Sequence, residues 1–131
     1  MIGLDTNVLV RYIMQDDDKQ AAKATEIIES LSTATPGFVT LMSVVELVWV
    51  LSSCFDLTRD QISQVLDTLL RAKQLVVDQA DQVVRALRAY SSSSADFADC
   101  LIERTAASAG CVKTMTLDVG AAKAAGMTLI Q

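Results

Sequence analysis

Apolar and polar positions along the chain alternate between two periods. Residues 2–4 form a short apolar run of the kind that makes a strand, and TNVLVRYIM behind it carries its apolar residues at helical spacing. A polar patch, QDDDK, interrupts the pattern, and Asp18 stands where it would cap an amphipathic helix over 19–31. TATPG reads as a turn and GFVT as a short strand. Residues 43–55 are almost wholly apolar, which predicts a buried helix. Thr58 is the expected cap of a helix over 59–70, with Ile62, Val65, Leu66, Leu69 and Leu70 on one face. LVV at 75–77 predicts another strand and DQVVRALRAY another helix. The SSSS run reads as a loop before a helix over 96–108, and Gly110 sits where a helix terminator belongs. Strands are expected at 112–117 and in MTLI near the end. Short strands alternating with helices predict one α/β domain over 1–131 with a mostly parallel central sheet.

Composition narrows what such a domain does. Mean hydropathy is +0.35, yet no uninterrupted apolar segment approaches the ~20 residues of a membrane helix. MIGLD lacks the basic and apolar stretches of a signal peptide, so a cytoplasmic protein with no membrane partner is expected. Cys54, Cys100 and Cys111 form no CxxC pair, which suits free thiols in a reducing compartment. The chain contains no histidine, which excludes Ser-His and Cys-His catalysis and histidine-held zinc. Its glycines are scattered singly and form no phosphate loop. A net charge of −5 argues against a generic nucleic-acid coat.

Chemistry must then rest on carboxylates, hydroxyls, basic side chains or an oxygen-held metal. Asp5 and Asp118 each close a strand-like run, in IGLD and MTLD. In a parallel sheet the carboxyl ends of strands share one edge, where ligands bind; the plainer reading is that each caps the next helix. Glu46 is the only charge in LMSVVELVWVLSSCF, and a buried unpaired carboxylate is disfavoured; alternatively Ser43 and Glu46 make a capping box. Asp96 and Asp99, three apart, project from one helix face, either as acids favoured at a helix start or as a like-charged pair awaiting a cation. Oxygen-only donors suit Mg²⁺ or Mn²⁺. The chain has 16 acidic and 11 basic residues, so without these five carboxylates its charges balance.

These residues carry a resemblance. MIGLDTNVLVRYIMQDD, SVVELVWVL, and ADFADCLIERTAASAGC followed by TMTLD resemble a PIN-domain ribonuclease, specifically the VapC-type toxin of a toxin–antitoxin pair, over essentially the whole chain. The resemblance implies a three-layer α/β/α fold with helices flanking the sheet. It matches Asp5 to the family's first acid, Glu46 to the second and Asp99 to the third, a principal metal ligand. Asp96 matches an additional acid, and Asp118 the late acid that acts through water or behind the ligands. Thr6 and Asn7 match the polar residues that orient the first acid. Val119 and Gly120 depart from the charged or aromatic residues that follow the late acid in such proteins.

The expected activity is hydrolysis of RNA phosphodiester bonds with one or two Mg²⁺ or Mn²⁺ ions. Arg11, Arg85, Arg88 and Arg104 are candidates to hold the RNA backbone. A homodimer and a cognate antitoxin are the implied protein partners, with Val8, Leu9, Ile13, Ile27, Ile28 and Leu31 available either to interfaces or to the core. One alternative is a catalytically degenerate PIN scaffold that binds RNA or protein. Another is a haloacid-dehalogenase-like phosphotransfer domain, which wants a second acid where this chain has Asn7.

Overall fold

A computed structural model describes all residues, Met1–Gln131. Its order is β1 (Ile2–Gly3), α1 (Thr6–Met14), α2 (Asp18–Glu29), β2 (Gly37–Val39), α3 (Leu41–Ser53), α4 (Arg59–Arg71), β3 (Leu75–Val77), α5 (Ala80–Ser91), α6 (Phe97–Ser108), β4 (Met115–Thr116), α7 (Val119–Ala124) and β5 (Thr128–Leu129). The class is α/β as the alternating pattern predicts, and every strand pairing is parallel. The strands form two ladders, β1-β2-β3 and β4-β5, so those that precede Asp5 and Asp118 are not paired in one sheet. Contacts divide the chain into Met1–Ala80 and Asp81–Gln131.

In the first unit, β2 is flanked by β1 and β3, with Ile2 opposite Gly37 and Val39 opposite Val77. Gly37 is required by close approach: a Cβ there would lie 2.8 Å from Leu31 Cδ1 and 2.9 Å from Leu4 Cδ1. Helix α1 packs on α2 and on α3, and α4 packs on α3 and β3. Leu9, Val39, Leu47, Leu51, Ile62 and Leu66 form the centre of this core. Leu9, Ile28 and Leu31 are therefore core residues, whereas Ile27 is exposed. Within the apolar run at 2–4, Ile2 is exposed on outer strand β1 and Leu4 supplies the buried contact.

Helix starts follow the caps. Asp17, not Asp18, caps α2, accepting from Gln20 N at 2.9 Å. Thr58 and Gln61 close a reciprocal capping box on α4. The largest departure is α3. Thr40 caps it, so it begins at Leu41 and Ser43 is already its third residue. Glu46 lies too deep for the Ser43–Glu46 capping box to form. Nor is the helix buried all round: Val44, Leu47, Val48 and Leu51 make the inward stripe, while Met42, Glu46 and Trp49 share the outward one.

In the second unit, Val83, Ala86, Tyr90, Phe97, Cys100 and Leu101 are buried, with Tyr90 and Phe97 packed edge to face at 5.8 Å. Helix α6 ends at Ser108 with Ala109 as its C-cap, and Gly110 follows at φ 99°, the left-handed conformation that suits a terminator. The strand expected over 112–117 shrinks to Met115–Thr116, because β5 pairs with only those two residues and Val112 and Leu117 stand exposed.

Candidate active site

Three of the five expected acids are helix N-caps. Asp5 leaves β1 in extended conformation and accepts from Thr6 N at 2.8 Å. Asp96 caps α6, accepting from Asp99 N at 3.3 Å. Asp118 caps α7, accepting from Gly120 N at 2.8 Å, and its own N–H donates to Thr116 Oγ1 at 3.0 Å. Each cap uses one carboxylate oxygen and leaves the other without a hydrogen bond.

Within the first unit, Asp5 and Glu46 line one pocket of about 500 Å³ together with Thr6, Asn7, Arg11 and Asp16. Thr6 opens α1 as a buried polar residue, and its hydroxyl donates to Glu46 Oε1 at 2.8 Å, joining positions 40 apart in sequence. Thr6 thus touches both acids: its amide holds Asp5 and its hydroxyl holds Glu46. Asn7 lines the pocket without a side-chain hydrogen bond. Arg11 is already engaged, donating to Gln20 Oε1 at 2.7 Å and pairing with Asp16 at 3.2 Å.

Within the second unit, Asp96 and Asp118 both act on Asp99. Burial pushes the Asp99 carboxyl above its ordinary value, and the negative charges of Asp96 and then Asp118 push it further. Asp99 sits in the first turn of α6, and its carboxylate accepts no hydrogen bond. Glu103 is a buried acid that no motif in the sequence marks. It lies on α6, only 7% exposed, and both of its oxygens accept from Arg104. Its signal was spacing: Glu103 continues the row of buried Phe97 and Cys100 at intervals of three.

The donor set fits a hard divalent cation. The acids and Thr6 offer carboxylate and hydroxyl oxygens; of the three free thiols, Cys54 lines the pocket of Asp5 and Glu46, while Cys100 is buried and Cys111 exposed. No group of three or more acidic or thiol side chains is placed so that it could hold a metal ion by itself. Mg²⁺ does not need one, because it keeps several waters and is held by one or two carboxylates plus substrate phosphates.

The PIN domain family matches residues 2–127. The chain belongs to that family. Domains of this kind are typically metal-dependent nucleases that use Mg²⁺ or Mn²⁺, so membership supports a nuclease. Comparisons with curated proteins and with solved structures each found no significant match. No helix of this PIN domain is long and apolar enough to cross a membrane.

Proposed function

We propose that this PIN domain is an endoribonuclease that hydrolyses RNA phosphodiester bonds with Mg²⁺ or Mn²⁺, as the toxin of a toxin–antitoxin pair. Asp5, Glu46, Asp99 and Asp118 are its metal-holding and catalytic residues, Asp96 an additional ligand, and Thr6 and Asn7 their supports. The observation that supports this best is the raised carboxyl of Asp99: three acids stand together in one unit with no cation side chain among the causes acting on Asp99. Such a group is stabilised by a divalent ion and weakened without one. When bound, the ion supplies an acidified water and charge stabilisation at the phosphate.

The remaining roles fall to the chain itself. Thr6 fixes Glu46 through its hydroxyl and Asp5 through its amide, so two acids from distant segments share one anchor. Arg11, on the wall of the same pocket, can exchange the exposed carboxylate of Asp16 for a substrate phosphate without a large penalty, because such partly exposed pairs are weak. The toxin role brings two partners: a second copy of the chain and a neutralising antitoxin.

Labelled RNA should be cleaved with Mn²⁺ and left intact with EDTA, and Asp5→Asn and Asp99→Asn should each abolish cleavage. Cleavage at the wild-type rate by both variants would refute the assignment. Induction of the chain alone should arrest growth of a bacterial host, and induction of the Asp5→Asn variant should not. Equal growth under both would remove the toxin role and leave the nuclease standing.

A further inference from the structure

The basic residues are not spread evenly. Met1–Ala80 holds eleven acidic and six basic residues, which accounts for the entire net charge of −5, whereas Asp81–Gln131 holds five of each. Three of the second unit's five bases, Arg85, Arg88 and Arg104, line one groove of about 620 Å³. Ser92 and Ser93 lie beside them, and small residues, Ala124 to Gly126, form the far wall.

Two of the guanidinium groups are held in place without being used up. Arg104 donates through Nε and Nη2 to buried Glu103, which leaves Nη1 open. Glu103 has no other hydrogen-bond partner, so its buried charge serves to fix Arg104. Arg85 donates to Ser108 Oγ at 2.6 Å, and that hydroxyl donates to Gln82 at 3.2 Å, which orients the arginine and leaves its other N–H groups available. Arg88, one turn beyond Arg85 on the same helix face, makes no ion pair.

We propose that this groove binds the phosphodiester backbone of single-stranded RNA, the substrate class of the nuclease reading on which the proposal rests. Arginine forks and serine hydroxyls are the groups that contact phosphate oxygens, and they do so without reading sequence. A protein segment would look for an aromatic or large apolar anchor, and this groove offers only alanine methyls and a glycine. Glu103 lines the same groove and offsets the charge of Arg104, so Arg85 and Arg88 supply the local positive track that an acidic protein offers a polyanion.

The test measures fluorescence anisotropy of labelled U-rich and A-rich RNA strands in EDTA as salt is varied. Two phosphate contacts on a single strand contribute about 1.4 to the salt slope. The Arg85→Ala/Arg88→Ala variant should lose that slope, bind about 25-fold more weakly at 0.1 M salt, and do so equally for both strands. Arg71→Ala, on the other unit, should bind as wild type does. An unchanged slope in the double variant overturns the groove, as does a groove that takes a polyglutamate peptide and not RNA. Mn²⁺-dependent cleavage is scored in parallel. A wild type that binds with the expected slope change but never cleaves defeats the nuclease reading alone, and a wild type that cleaves without the slope change defeats the groove alone.

Discussion

Replacing Thr6 with valine isolates the bond that ties the two acids of the first unit together. The substitution keeps the shape, so the buried position stays filled, and it deletes the hydroxyl that donates to Glu46 Oε1 at 2.8 Å. A hydrogen bond to a charged group contributes about 1.5–3 kcal/mol when water cannot replace it. Glu46 is exposed, so water will solvate its carboxylate once Thr6 is gone, and the loss should fall to about 1 kcal/mol. For a chain of 131 residues that is a fall in Tm of about 3 °C. Function should suffer more than stability, because groups that orient metal ligands are worth about 10–100-fold in affinity or activity. Urea unfolding of wild type, Thr6→Val, Glu46→Gln and the double variant gives the coupling energy, and Mn²⁺-dependent cleavage gives the functional cost. Thr6→Ser, which keeps the donor, should recover most of both. A coupling below about 0.3 kcal/mol with undiminished cleavage would refute the anchoring role, and a serine variant as impaired as valine would show that the hydroxyl alone does not carry it.

Asp99→Asn should melt higher than wild type in EDTA at neutral pH. A carboxyl whose folded value is raised holds its proton more tightly when folded, so stability falls as pH rises from the ordinary carboxylate value through the raised one. The gain should therefore vanish at acid pH, where wild-type Asp99 is protonated in both states. It is limited by the helix-start benefit that an acid enjoys, about 0.3–1 kcal/mol. A variant that melts lower at neutral pH, or a gap indifferent to pH, counts against burial and the charges of Asp96 and Asp118 as the causes that raise Asp99. Separately, Arg104→Ala strands the buried carboxylate of Glu103 and should cost about 1–3 kcal/mol by urea unfolding. Adding Glu103→Gln should return part of that loss, and no recovery would mean that the pair is not what holds this turn.

The sequence conveyed periodicity well and ends poorly. Helix α1 and strand β3 fall on their expected residues because apolar spacing and flanking polar residues agree there. Helix α3 departs from its apolar pattern for a physical reason. Hydrophobicity read along a line cannot tell an inward Leu47 from an outward Trp49, and only the cap at Thr40 fixes the helical phase that turns Met42, Glu46 and Trp49 outward. The short strands were over-extended, since β4 and β5 owe their length to two-residue pairing and not to the apolar residues around them. Among site residues the types were legible but the partners were not. No local pattern links Thr6 to Glu46 across 40 positions, and Glu103 looks like an ordinary helix acid until its neighbours on α6 are seen to be buried.

Whether a carboxylate after a strand is a cap or a reagent turns out to be a poorly posed choice. Asp5, Asp96 and Asp118 are all caps, and capping suits them to the ligand role proposed for them. One oxygen of each is fixed by a backbone amide, so the side-chain entropy that a ligand would otherwise lose on binding has already been lost in folding. The other oxygen then points from a defined position at a helix start, where negative charge is tolerated. Glu46 reaches the same condition by another route, through the hydroxyl of Thr6. Asp99 alone has no such support. It is also the acid whose carboxyl is raised, so it has the most to gain from a cation and is the acid at which the need for one should be felt first.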